Sequence, residues 1–287
     1  MKEVGLVLEG GGMKGIYTAG VLDLLMEERI HFPYVIGVSA GACQALSYVS
    51  QQIGRNKRAI LDFVGLPRYI SKRNLILHGS IMDMDFVFDD IPNKYEIFDY
   101  ESFFESDMRC VFVIADCITG KAVYIDAKAR KDRRYLSDVV RASSSLPLLT
   151  KPVCIDGRLY IDGGMADSIP LRKSMEDGNK KNLVVLTKPA GYRKDRTKIA
   201  FLYRSRYKEY PALVKTLIER DTMYNESMEF VEELERKGEI VVIRPTVDLH
   251  VGRMEKNRRK LERMYELGYR DAKEKKERLI RYFSDSE

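Results

Sequence analysis

"EVGLVLEGGGMKGIYTAGVLDLLMEERI" (residues 3–30) opens the chain and sets its fold class. Val4 to Leu8 is a short β-forming run, and the glycines at 10–12 end it. Apolar residues then return at Ile16, Ala19, Leu22 and Met26, the spacing of a helix face. The pattern repeats at once: "YVIGVS" (34–39) is a second strand and "AGACQALSYVSQQI" (40–53) a second helix. A strand–helix–strand–helix start belongs to a parallel sheet covered by helices.

Further along, "RCVFVIADCITGKAVYID" (109–126) reads as two strands joined by a turn, and "DRRYLSDVVRASSS" (132–145) as a helix ending before Pro147. "PVCIDGRLYI" (152–161) is a second hairpin, with Asp156-Gly157 in its turn. "NLVVLTKP" and "EIVVIRP" are buried-type strands, each stopped by proline. Residues 207–237 and 253–283 read as long polar helices, and residues 55–107 mix helical patterns with turns. No repeat or clear linker interrupts the chain. The expected organisation is an α/β domain over 1–190 and a helical, basic C-terminal extension over 191–287, packed on the same domain.

Length and composition fit this reading. The chain has 287 residues, 45% hydrophobic and 32% charged, enough apolar side chain for a large α/β core. The apolar run after the N-terminus is only five residues before "EGGG", too short for a secretory signal. No stretch reaches the roughly 18 apolar residues that cross a bilayer. The four cysteines (Cys43, Cys110, Cys117, Cys154) are scattered, and read as reduced core thiols of a cytoplasmic protein with no metal site. The net charge of +6 is local. Residues 253–281 hold twelve Lys/Arg against six Asp/Glu, leaving 37 of each sign elsewhere.

The glycine loop admits three readings. Gly10, Gly12 and Gly15 fit GxGxxG between a strand and a helix, the context of a dinucleotide-binding turn. That site also wants an acidic residue ending the second strand, and "IGVSAG" has none. The same amides at a helix N-terminus can instead hold the oxyanion of a tetrahedral intermediate, with Lys14 adding positive charge or anchoring the loop. A third reading is a glycine turn that serves only tight packing.

Ser39 lies between Gly37 and Gly41 where the second strand meets its helix, and a hydroxyl there needs a base to become a nucleophile. The order Ser39, Asp162, His250 matches a hydrolase triad, although only one strand–helix unit precedes the serine. A carboxylate alone can also serve. "VCIDGRLYIDGG" offers two: Asp156, explained by its hairpin turn, and Asp162, which ends the returning strand and is the stronger candidate.

Taken together, these blocks resemble the patatin-like phospholipase family, in its bacterial branch. "EGGGMKG" (9–15) is similar to the family's oxyanion loop, with Glu9 where many members carry Asp. "GVSAG" (37–41) is similar to its nucleophile motif, "RASSSLP" (141–147) to the block before its last catalytic segment, and "DGG" (162–164) to its aspartate motif. The resemblance implies a three-layer α/β/α sandwich with a mainly parallel central sheet and a Ser39–Asp162 dyad without histidine. It implies an oxyanion hole from Gly10, Gly11 and Gly12, loop support from Lys14 and Gly15, and motif glycines Gly37, Gly41, Gly163 and Gly164. It further implies acyl-serine hydrolysis of lipid esters without metal or organic cofactor.

Two other classes stay open: a regulatory or adaptor protein on the same fold, and a nucleotide-binding protein. The basic tail and "GYRKDRTKIAFLYRSRYK" (191–208) could meet an anionic membrane surface, placing the protein peripherally at the inner membrane face. A tail of mixed sign equally suits a solvated helix face. No nucleic-acid motif accompanies the charge, so nucleic-acid binding is not expected.

Overall fold

The computed structural model describes residues 3–284. Eight strands form one sheet: β1 (Val4–Leu8), β2 (Tyr34–Val38), β3 (Arg109–Asp116), β4 (Ala122–Asp126), β5 (Val153–Ile155), β6 (Arg158–Asp162), β7 (Lys181–Val185) and β8 (Ile240–Ile243). Their order is β5-β6-β3-β2-β1-β7-β8, with β4 also paired to β3. β3, β2, β1, β7 and β8 run parallel, while β4, β6 and β5 add antiparallel pairs at one end.

The helices are α1 (Ile16–Glu27), α2 (Ala40–Val49), α3 (Arg55–Leu61), α4 (Lys72–His78), α5 (Tyr100–Glu105) and α6 (Arg133–Ser143) in the first half. The second half adds α7 (Leu171–Glu176), α8 (Ala200–Arg206), α9 (Pro211–Ile218), α10 (Arg220–Lys237) and α11 (Arg258–Ser284). A wide-wound helix at Phe86–Tyr95 contains Pro92, which has no N–H for the ladder. Among the described residues, no helix is long and apolar enough to cross a membrane.

Strand alternation divides the core into two layers around the sheet. Leu6, Leu8, Val35, Phe112 and Val185 point to one face, where α1, α2, α6 and α11 pack. Val7, Ile36, Val38, Val113 and Val184 point to the other, where α7 and α10 supply Leu171, Tyr224, Met228 and Val231. This is the three-layer sandwich expected from the sequence. α1 is buried from Ile16 to Met26, because α11 covers the side that faces away from the sheet. Two of its buried polar side chains bond across to neighbouring elements: Tyr17 donates to Asp271 (2.9 Å), and Asp23 accepts from Tyr265 (2.7 Å) and the Gly54 amide (3.0 Å).

Three local expectations change. The helix expected over 207–237 is two, α9 starting at Pro211 and α10 at Arg220, with Glu219 between them. Proline fits the first helical turn but not the interior, so a helix cannot run smoothly through Pro211. The last helix starts at Arg258 rather than 253, because the Asn257 side chain accepts the Lys260 amide (3.1 Å) as an N-cap. Cys110 and Cys117 are core thiols, but Cys154 is exposed on β5.

Candidate active site

β3 brings the candidate serine and aspartate together. Its residues 109–113 pair with β2, ending with Val38↔Val113. One residue later Ile114 pairs with Asp162 of β6. The Asp116 amide bonds Lys121 near β4 while the next amide, Cys117, bonds Leu159 of β6. Adjacent backbone amides of a strand point to opposite edges, so β6 occupies the edge that β2 vacates at Val38. Asp162 therefore ends where Ser39 begins.

Ser39 leaves the strand with φ 55° and ψ −122° and starts α2 immediately. Holding a non-glycine residue there costs about 1–3 kcal/mol, so the surroundings must fix it. Gly37 and Gly41 make the turn possible. A Cβ on Gly37 would lie 2.7 Å from the Gly41 carbonyl carbon, and one on Gly41 would lie 2.4 Å from the Leu8 oxygen. Ser143 closes the turn from the other side: its hydroxyl accepts the Ser39 amide (2.9 Å) and donates to the Val113 carbonyl (2.7 Å).

Ser39 Oγ donates to Asp162 Oδ2 at 2.6 Å. Asp162 is 2% exposed, and its other oxygen accepts the Gly164 amide (2.7 Å). Burial raises its pKa above the ordinary carboxylate range, partly offset by the Ser39 bond and by Arg220. The Asp162 amide donates to the Ser145 carbonyl (2.9 Å), so the serine block of 143–145 grips both members of the pair.

The glycine loop faces the same point. Gly10 lies against Val38 and Ser39, and Gly15 against Ala40. The Gly10 amide is committed to the Ser168 carbonyl (3.4 Å), in contrast to the three free donors expected. Among the described residues the Gly11 and Gly12 amides have no acceptor. Glu9 anchors the loop from beneath: fully buried, it accepts the Thr187 amide (2.5 Å) and hydroxyl (2.9 Å), the Tyr224 hydroxyl (2.8 Å) and the Lys188 ammonium. Burial alone would raise its pKa, but Lys188 and these donors hold it below the usual value.

The other candidates lie apart from this pair. Asp156 sits in the β5–β6 turn, 61% exposed and ion-paired to Arg130 (2.6 Å). His250 is an exposed loop residue 3.4 Å from Asp248, so the triad order has no geometry behind it.

Two cavities meet at Ser39. The first, about 180 Å³, is strongly apolar and runs from Met13 and Cys43 to Tyr69, Ile81, Phe88 and Leu136. Much of its wall comes from residues 55–107, which have no clear period in sequence. The second, about 200 Å³, shares Ser39, Gly12, Leu146 and Arg253 with the first. It adds Asp162, Lys14, Lys188, Lys194, Arg220 and Tyr224. Sequence reading missed Ser143, Glu9's partners and Arg220; Lys194 and Arg253 were visible only as members of basic clusters.

Comparison with known proteins agrees with this geometry. The model of the patatin-like phospholipase family matches residues 6–174, and that of a domain of unknown function, DUF6363, matches residues 210–284. The uncharacterized protein YjjU of Escherichia coli is 27% identical over 86% of this chain and 70% of its own length. Lysophospholipase NTE1 of Scheffersomyces stipitis is 24% identical over 85% of this chain, which spans 16% of that larger protein. The crystal structure of VipD from Legionella pneumophila shares the fold at 14% identity, with a TM-score of 0.51 over 96% of this chain and 66% of that one. With more than half of its residues matched by the first model, the chain belongs to the patatin-like phospholipase family.

Proposed function

We propose that the protein is a serine acyl hydrolase that cleaves lipid esters through Ser39 and Asp162. The observation that carries the reading is the 2.6 Å bond from Ser39 Oγ to Asp162 Oδ2 where an apolar cavity meets a polar one. Lipid hydrolysis itself follows from the family, and the name of the fungal lysophospholipase agrees with it.

In this scheme the acyl chain enters the apolar cavity and presents its carbonyl to Ser39. Asp162 takes the serine proton as Oγ attacks, and the elevated proton affinity of the buried carboxyl suits that task. The oxyanion falls to the Gly11 and Gly12 amides, each worth on the order of 10²–10³ in rate if it matches other oxyanion donors. The proton passes from Asp162 to the leaving alkoxide. Asp162 then deprotonates water, which attacks the acyl-serine, and returns that proton to Ser39 Oγ as the fatty acid leaves.

Membrane contact is assigned to residues 193–208 rather than to the last helix. α8 buries none of its residues, Phe201 is 65% exposed, and Arg204 and Arg206 follow it in the last turn. α11, by contrast, spends Leu261, Met264, Leu267 and Leu279 on the core. The test is fatty-acid release from lysophospholipid and monoacylglycerol by the wild type and Ser39→Ala. Release that vanishes with Ser39→Ala supports the reading. A folded wild type that releases none from any ester would favour the adaptor class.

A further inference from the structure

The polar cavity beside Ser39 carries an imbalance of charge that the hydrolysis scheme does not use. Five cations line it, Lys14, Lys188, Lys194, Arg220 and Arg253, against one carboxylate, Asp162. Lys188 is neutralised by Glu9. Among the described residues, none of the other four has a carboxylate within ion-pairing distance. We propose that this cavity binds a phosphate monoester on the alcohol side of the scissile ester, making the substrate an acylglycerol phosphate rather than a neutral or zwitterionic lipid. The proposal rests on Ser39 being the nucleophile and adds the substrate class.

Arg220 is the natural centre of the site. Its Nε donates to the Gly164 carbonyl (2.7 Å), which fixes the side chain next to Asp162, and among the described residues its terminal fork has no hydrogen-bond partner. A planar fork of that kind matches two phosphate oxygens. Lys194 approaches from the segment after β7, with its ammonium 5.0 Å from the Tyr224 ring. Burial, together with Arg220, Arg253 and Lys188, lowers its pKa to about 7, while Glu9 pulls the other way. Burial and Arg253 likewise lower Arg220 to about 10. A cluster of cations that disfavours its own charges lacks an anion, and a phosphate monoester brings close to two negative charges near neutral pH.

The same residues discriminate against choline or ethanolamine headgroups. An ammonium in this cavity would meet Lys14, Lys194, Arg220 and Arg253. The carboxylates that could hold it are occupied, Asp162 by Ser39 and Gly164, and Glu9 by Lys188 and Tyr224. The apolar cavity takes the acyl chain, so the alcohol falls to the cationic side. Lys194, Arg220 and Arg253 all lie beyond residues 6–174, so the C-terminal part of the chain would supply the headgroup selectivity.

The test compares lauroylglycerol phosphate, lauroylglycerophosphocholine and lauroylglycerol below their aggregation limits, alongside fluorophosphonate labelling of Ser39. The expected preference in kcat/KM for the phosphate monoester is about tenfold or more over both others, and it falls about tenfold in Arg220→Gln and in Lys194→Gln. In Ser39→Ala, calorimetry should find binding of glycerol phosphate with proton uptake near pH 7 and no binding of glycerol. Equal rates on the three esters, or variants that slow all three alike, would overturn the proposal. So would inorganic phosphate binding where glycerol phosphate neither binds nor competes, which would mark a site for free phosphate. If glycerol phosphate binds but Ser39 takes no probe, the hydrolase reading falls and the anion site stands.

Discussion

Replacing Ser143 with alanine should damage both the fold and the reactivity of Ser39, although Ser143 lines neither cavity. The hydroxyl is fully buried and satisfies two backbone groups, the Ser39 amide and the Val113 carbonyl. Ser143→Ala leaves both unpaired, at about 1–3 kcal/mol each, or about 4 kcal/mol together. Freed from that clamp, Ser39 can relax from its strained backbone and return about 1–2 kcal/mol. The net cost is about 2–3 kcal/mol, a fall in Tm of about 3–5 °C for a chain of this size. Relaxation also moves Oγ away from Asp162, so fluorophosphonate labelling should slow by about tenfold or more. Ser144→Ala is the control, since among the described residues its hydroxyl has one hydrogen-bond partner, the Cys43 sulfur at 3.4 Å. It should stay within about 0.5 kcal/mol of the wild type. If Ser143→Ala melts with Ser144→Ala and labels at the wild-type rate, the clamp has no role and the reasoning fails.

Asp162→Asn should lose about 10²–10⁴-fold in ester turnover while its Tm holds or rises. The folded-state pKa of Asp162 lies above the unfolded value, so the stability linked to it is present at low pH and lost as pH rises through the elevated pKa. Activity runs the opposite way across that window, because only the ionised carboxylate, facing Ser39, Gly164, Arg220 and Arg253, accepts the proton; a pH profile of labelling against one of Tm checks both signs. Glu9→Gln should cost about 3–5 kcal/mol in denaturant unfolding, since it strands the buried Lys188 charge, and a change under about 1 kcal/mol would contradict that account. Gly41→Ala should destabilise by about 1–3 kcal/mol in the same assay, because its Cβ would press on the Leu8 carbonyl.

The sheet, and Ser39 and Asp162 as candidates, were legible because their signals are short and local. The alternation of β1 and β2, the glycines that end them and the hairpin turn at Asp156-Gly157 each act within a few residues. Asp162 could be preferred to Asp156 from its neighbours alone, since a strand end before two glycines leaves a carboxyl free to project. The apolar cavity was not legible. Its wall is built from single residues such as Tyr69, Ile81 and Phe88, spread over an interrupted segment without period. Arg220 carried no local sign of a role either. It lies in a polar helix, and only the break at Glu219 and the reach across to Gly164 bring it beside Asp162. The Gly10 amide shows the same limit, because its acceptor, Ser168, is far away in sequence.

The central claim is that Ser39 is a nucleophile activated by Asp162. The most direct measurement is a fluorophosphonate adduct mapped by mass spectrometry in the wild type, Asp162→Asn and Asp156→Asn. One adduct is expected, on Ser39, that persists in Asp156→Asn and collapses in Asp162→Asn. An adduct on another residue, or equal labelling of Ser39 when Asp162 is replaced, would contradict it.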